Sequence, residues 1–182
     1  MRNDKNKEKI LSFLGWSILC LLLINLLYFF IPRSPPSSIP KQISSFEQQK
    51  PVHEGQEALS LQTLSNPLQL VVFFASWCSM CAVEHPYIVS LKKNYPDLQI
   101  HGVTVNDSAY ATLHFLEKYQ NPYDTLSIAS LDMMRNFKVM GIPQTFLIND
   151  QKEILYHKRG VLSQRDIDQN IVPSLEKSQI GK

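Results

Sequence analysis

Cysteine is scarce in this chain, and its placement narrows the possible chemistry. The 182 residues include three cysteines, of which only Cys78 and Cys81 lie close together. One close pair cannot form the disulfide framework of a small secreted scaffold. A structural zinc site would need two more ligands, but there is no second cysteine pair, and the histidines other than His85 show no paired ligand spacing. The pair is therefore the candidate for chemistry, with a static disulfide that never cycles as an alternative.

The chain also lacks an excess of charge of either sign. It has 18 basic and 16 acidic residues and a net charge of +2, which gives no reason to expect nucleic-acid binding. There are no internal repeats. A copper chaperone that holds Cu(I) through both thiols and His85 is a second interpretation, since soft thiolates suit this ion. The methionines are scattered, however, and no methionine- or histidine-rich stripe supports that role.

A long apolar run is present near the N-terminus. Residues 1–9 are basic, and residues 10–31 carry no charge. As a helix, about 22 residues would extend for about 33 Å, enough to cross a bilayer. A cleaved signal peptide is less compatible, because no small-residue cleavage site follows. We therefore expect a transmembrane anchor with its basic end in the cytoplasm. Cys20 lies inside this run, where an inert thiol is the default interpretation.

The remaining chain divides into a tether and one domain. Residues 32–45 are rich in proline and serine, which predicts an extended linker. Residues 46–182 follow as the exported domain, in which a short strand and a turn are expected before residue 68. From there the pattern predicts strands alternating with helices: strands at 68–75, 99–105, 145–148 and 153–157, and helices at 78–95, 108–119, 131–138 and 163–177. This alternation indicates an α/β fold with a mixed central sheet flanked by helices.

The cysteine pair occupies the junction between the first of these strands and its helix. A sulfur at the start of a helix lies where the free N–H groups and the macrodipole favour an anion, so Cys78 is the expected nucleophile. Cys81, one turn later, can resolve the mixed disulfide. Glu84 follows three residues after Cys81 on nearly the same face. A buried carboxyl there would have a raised pKa and could take the proton from Cys81, whereas a solvated surface glutamate is the alternative.

These motifs resemble a known family. The fragments that carry the resemblance are Trp77-Cys78-x-x-Cys81-Ala82-Val83-Glu84-His85-Pro86, Asn121-Pro122-Tyr123, Gly141-Ile142-Pro143-Gln144-Thr145-Phe146-Leu147-Ile148, and Ile154-x-Tyr156-x-x-x-x-Gly160. Together they resemble the thioredoxin fold, and more closely the membrane-anchored CcmG/DsbE group of thiol:disulfide oxidoreductases in the TlpA-like branch. Two departures are visible: Ser79-Met80 stands where a proline is usual between the cysteines, and Gln144 stands where glutamate is frequent.

The resemblance implies a function. Such proteins lie in the periplasm, receive electrons from a membrane thiol transporter of the CcdA or DsbD type, and pass them to apocytochrome c directly or through CcmH. Reduction frees the Cys-x-x-Cys-His thiols for haem attachment. No cofactor beyond the cysteine pair is expected, and a monomer is expected because no dimerisation segment is seen. A broader periplasmic reductase or isomerase is the alternative within the same chemistry.

The resemblance also assigns roles to residues beyond the pair. Pro143 resembles the cis-proline that faces the active-site disulfide, and the backbone of Ile142 is expected to pair with an extended substrate segment. An ordinary turn proline is the alternative. Trp77 either offers an apolar docking surface beside the thiolate or belongs to the core. His85 is expected to be a surface or hydrogen-bonded histidine.

Overall fold

The structure, a computed structural model, describes part of the chain: residues 16, 21–23, 40–43, 49–52, 58–60 and 62–180. The chain divides into two compact units, Met1–Ser38 and Ile39–Lys182. In the first, Trp16 and residues 21–23 are helical and exposed, and the rest of the predicted anchor lies outside the described residues. No helix within the described ranges is long and apolar enough to cross a membrane.

A mixed sheet forms the centre of the second unit. Within the described residues its six strands are β1 (Lys50–Pro51), β2 (Leu68–Phe74), β3 (Gln99–Thr104), β4 (Thr125–Ile128), β5 (Gln144–Asn149) and β6 (Ile154–Arg159). They lie in the order β1-β4-β3-β2-β5-β6. Strands β2, β3 and β4 are parallel, whereas β5 is antiparallel to β2, β6 to β5, and β1 to β4. The mixed sheet expected from the sequence is confirmed.

Helices connect and flank these strands. They are α1 (Ser79–Asn94), α2 (Ala109–Tyr119), α3 (Leu131–Asn136), α4 (Gln164–Asp166) and α5 (Val172–Ile180), with a π-helical turn (Ile167–Ile171) between the last two. The sequence predicts one continuous helix here. Pro173 has no N–H to donate within that helix. The N–H of Val172 bonds to the carbonyl of Ile167, five residues earlier, which is the π-helical spacing.

Strand β2 is buried on both faces of the sheet. Leu70, Val72 and Phe74 belong to an apolar cluster shared with the inner face of α1. Val71 and Phe73 point to the opposite cluster, where the ring of Phe73 lies 5.2 Å from that of Phe137 and 5.7 Å from that of Phe146. Because β2 is central, its carboxyl end holds the following cysteine turn on a rigid support.

Strand β4 is an addition to the strands expected from the sequence. The sequence pattern did not predict this strand, because it contains Thr125 and Ser127, whereas buried strands are usually continuous apolar runs. In the structure each of those polar groups has a partner. The hydroxyl of Ser127 accepts the N–H of Leu59 at 2.8 Å, and the hydroxyl of Thr125 lies 2.8 Å from Nδ1 of His101. Hydrogen bonding therefore replaces apolar packing along part of this strand.

Candidate active site

The two cysteines lie at the start of α1 and form a disulfide, with their Cα atoms 5.2 Å apart. Cys78 is the N-cap residue, and its Sγ accepts the N–H of Cys81 at 3.1 Å. The first turn of α1 has no acidic side chain, so the positive end of the helix is not offset there. Both cysteines are largely buried; Cys78 is 8% exposed and Cys81 is 3% exposed, so Cys78 is the more exposed residue of the two.

The turn that carries the pair is fixed from the neighbouring strand. Asp107, which follows β3, accepts the backbone N–H of Ser76 at 2.6 Å and its hydroxyl at 3.0 Å. The indole N–H of Trp77 donates to the carbonyl of Asn106 at 3.1 Å. Strands β2 and β3 are parallel, so their carboxyl ends meet at one edge of the sheet, and the loop after β3 can brace the loop after β2. Asp107 is not among the site residues predicted from the sequence, although the parallel pairing of these strands could have pointed to it.

Trp77 and its surroundings form an open groove beside Cys78. The Trp77 side chain is 62% exposed, so the core-aromatic interpretation is wrong. The groove has a volume of about 560 Å³ and includes Tyr110, His114 and Tyr119 from α2 in its lining. The groove therefore places an aromatic surface directly next to Cys78.

The segment before β5 contains the predicted cis-proline. The Ile142–Pro143 peptide bond is cis. Ile142 is half-buried and packs against the apolar cluster that includes both cysteines, whereas Pro143 is buried and its carbonyl accepts the N–H of Gly160 at 2.9 Å. Gln144 donates from Nε2 to the carbonyl of Gly141 at 2.8 Å. The amide at the position where the resembled family often has glutamate therefore holds this loop.

Glu84 is a buried carboxyl, so the surface alternative is wrong. It is 1% exposed. Its Oε2 accepts the backbone N–H of Leu162 at 2.6 Å, and its Oε1 accepts a weaker bond from the hydroxyl of Thr145 at 3.5 Å. Burial raises the pKa of Glu84 to about 7, against the lowering effect of these two hydrogen bonds. A group with this pKa can both hold and release a proton near neutral pH.

His85 is hydrogen-bonded and buried, which selects one of its two predicted environments. Its Nε2 donates to the carbonyl of Gln120 at 2.7 Å, and its ring packs edge-on against Phe115 and Tyr123. Burial lowers the pKa of His85, which favours the neutral ring. No group of three or more histidine, cysteine or acidic side chains within the described ranges is arranged to hold a metal ion.

The fold and the site together define a class. A mixed sheet carries a Cys-x-x-Cys disulfide at the first helix after its central strand, a cis-proline precedes β5, and a protonable glutamate lies one turn along the same helix. This is the arrangement of a thioredoxin-like disulfide oxidoreductase, as the sequence predicts.

Comparison with known proteins identifies the family. The Redoxin family model matches residues 39–173. The chain is 32% identical over 126 residues to a thiol:disulfide interchange protein DsbE homolog of Paracoccus denitrificans, covering 68% of this chain and 69% of the relative. It is 31% identical over 152 residues to thiol:disulfide interchange protein CycY of Rhizobium leguminosarum, covering 81% of this chain and 78% of the relative. The chain belongs to the Redoxin family and, within it, to the DsbE-type thiol:disulfide interchange proteins.

A solved structure shows the same fold. The DsbE-type thiol:disulfide interchange protein of Chlorobium tepidum superposes with a TM-score of 0.64 at 19% identity, covering 76% of this chain and 98% of that protein. This likeness establishes the fold. The family model and the curated relatives establish the enzyme class, a disulfide oxidoreductase, and confirm the CcmG/DsbE resemblance seen in the sequence.

Proposed function

We propose that this protein is a membrane-anchored periplasmic reductant that keeps the Cys-x-x-Cys-His thiols of apocytochrome c reduced for haem attachment. The observation that carries the proposal is the disulfide at the start of α1 one turn from a buried glutamate whose pKa is raised to about 7. Membership of the thiol:disulfide interchange family supports it. The redox pair is the reactive group, and no further cofactor is part of the proposal.

The exchange proceeds in two balanced steps. The thiolate of reduced Cys78, favoured by the helix N-terminus, attacks one sulfur of the client disulfide, forming a mixed disulfide and releasing one client thiolate. Cys81 then attacks the Cys78 sulfur, which closes the disulfide and releases the second client thiolate. Glu84 takes the proton that Cys81 loses in this step. The client gains two electrons and the enzyme pair gives up two.

Client docking involves the surfaces on either side of the pair. The groove beside Cys78 is open and aromatic, and Trp77 contributes an exposed ring to it. The backbone of Ile142, next to Pro143, is proposed to pair with the client as an added strand. Apolar contact and main-chain pairing together would hold a flexible peptide without requiring a folded client.

The protein is held at the inner membrane, close to its electron donor and its client. Residues 10–31 anchor the chain in the inner membrane, with residues 1–9 in the cytoplasm and residues 32–45 as the tether to the monomeric domain at 46–182; the charge and apolar patterns support this. A membrane thiol transporter of the CcdA or DsbD type supplies the electrons, and apocytochrome c or CcmH accepts them.

A trapping experiment tests the proposal. The Cys81→Ser chain, reduced and then mixed with an oxidised Cys-x-x-Cys-His peptide, should form a peptide adduct at Cys78 that mass spectrometry detects after acid quenching. Cys78→Ser should form none. An unrelated peptide with a disulfide loop of the same size measures selectivity: equal rates with both peptides would favour the broader reductase instead. Failure to capture either peptide would contradict the reductant function.

A further inference from the structure

Glu84 receives its backbone hydrogen bond from a segment far away in sequence. The donor is the N–H of Leu162, which is fully buried and follows β6 by three residues. Thr145 contributes only a 3.5 Å contact. The position of the Leu162 backbone therefore decides how well the ionised form of Glu84 is stabilised.

The segment next to Leu162 is fixed by a single carboxylate. Asp166 accepts the N–H of Ser163 at 2.9 Å and its hydroxyl at 2.6 Å, which completes a capping box at the start of α4. Its other oxygen accepts Nζ of Lys158 at 2.8 Å and the hydroxyl of Tyr156 at 3.2 Å. Asp166 thus joins strand β6 to the helix start on both sides of the Leu162 donor.

The same two charged residues act on Glu84 electrostatically. Asp166 raises the pKa of Glu84 and Lys158 lowers it. Tyr123, in the loop before β4, also interacts electrostatically with Glu84. Burial favours the neutral form of Asp166, but its hydrogen bonds from Lys158, Ser163 and Tyr156 hold the pKa of Asp166 below its usual range. The carboxyl of Asp166 is therefore ionised over the range in which Glu84 titrates.

We propose that Lys158 and Asp166 are positioning residues that hold the Leu162 donor on Glu84 and balance the field there. The proposal rests on the proposed proton transfer by Glu84. Glutamine at 158 can still donate to Asp166, and asparagine at 166 can still accept the N–H and hydroxyl of Ser163, so both variants should keep the Leu162 donor in place and remove only a charge. Because opposite charges act from two elements, β6 and α4, removing either charge leaves the other uncompensated. The two single variants should then change the protonation of Glu84 in opposite directions, which loss of packing alone would not do.

The test measures the Glu84 carboxyl directly. In ¹³C-carboxyl NMR of the full chain in detergent micelles, the Glu84 signal is the one absent from Glu84→Gln. Lys158→Gln should raise the pKa of Glu84 by about 0.5, Asp166→Asn should lower it by a similar amount, and the double variant should lie near the parent. Lys92→Gln is the matched control, since Lys92 forms a 2.8 Å ion pair with Asp124 that does not act on Glu84.

Shifts in the same direction, or none, would overturn the proposal. A second readout separates it from the proposed function: the pH profile of peptide disulfide reduction should move with the measured pKa. If the pKa of Glu84 shifts as expected but the rate profiles do not follow, Lys158 and Asp166 are positioning residues but Glu84 does not transfer the proton. If Glu84→Gln alters the rate profile while neither Lys158→Gln nor Asp166→Asn changes the pKa of Glu84, Glu84 transfers the proton but the other two residues do not position it.

Discussion

Replacing Glu84 with glutamine should remove a specific pH dependence of stability. Burial raises the pKa of Glu84 from 4.5 to about 7 in the folded chain. Between these two pH values the folded state keeps a proton that the unfolded state has lost, so stability falls as the pH rises. A raised carboxyl pKa therefore contributes stability that is complete below the unfolded pKa and lost above the folded one. The difference of about 2.5 between the two pKa values corresponds to about 3 kcal/mol.

Glutamine is a suitable probe, because it is similar in shape and cannot ionise. Its oxygen can accept the N–H of Leu162 and its amide can donate to the hydroxyl of Thr145, which are the two partners of Glu84. The free energy of unfolding of the oxidised chain in urea, followed by circular dichroism, should be compared at pH 4.5 and pH 8. Between pH 4.5 and pH 8, the free energy of unfolding of the parent should fall by about 3 kcal/mol more than that of Glu84→Gln.

The control for this experiment is Glu117→Gln, which removes a carboxyl whose side chain is 84% exposed. It should leave the pH dependence as it is in the parent. Other groups titrate over the same interval, so only the difference between variant and parent is diagnostic. If Glu84→Gln kept the parent's change of stability between the two pH values, the buried carboxyl would not be the group that holds the proton.

Two further variants test a buried histidine of β3 and the carboxylate that holds the cysteine turn. Burial lowers the pKa of His101 to about 4, so the folded state loses stability as the pH falls from 6.5 towards 4. In urea unfolding, the free energy of unfolding of the parent should fall between pH 7 and pH 4.5 by about 3 kcal/mol more than that of His101→Gln. The same fall in the parent and in His101→Gln would contradict this. Asp107→Asn weakens the acceptor of the Ser76 N–H and hydroxyl, and should cost about 1–3 kcal/mol and slow peptide reduction. Asp132→Asn, which changes an exposed carboxylate, is the control. If Asp107→Asn reduced the peptide at the rate of the parent, the hydrogen bonds from Ser76 to Asp107 would not be needed for activity.

Local features of the site were predictable from the sequence. The apolar run of β2, the helix that follows it and the position of Cys78 at the helix start all depend on neighbouring residues, and the structure places them as expected. The spacing of Glu84 from Cys81 also gave the correct helix face. Such features are local because periodicity and capping act within one element.

Features that need two distant segments were not predictable in the same way. The donor to Glu84 lies 78 residues away at Leu162, and no local pattern marks that backbone N–H. Strand β4 was hidden because Thr125 and Ser127 find hydrogen-bond partners only in the folded chain. The contribution of Asp107 depends on parallel pairing of β2 with β3, which places two loops at one edge. Tertiary context, rather than propensity, decides all three.

The side-chain amide of Gln144 holds the loop before β5 without adding a charge to it. Its Nε2 donates to the carbonyl of Gly141, and its Oε1 lies 2.8 Å from Nε2 of His157. A carboxylate in this place could not donate and would oppose the Gly141 carbonyl, so glutamine suits a loop that must be held still ahead of Pro143. Burial lowers the pKa of His157 to about 4, so its neutral ring can donate to this amide at neutral pH. The contact between Gln144 and His157 then carries no charge around pH 7, which fits the proposed function, in which Glu84 exchanges the proton with the thiols.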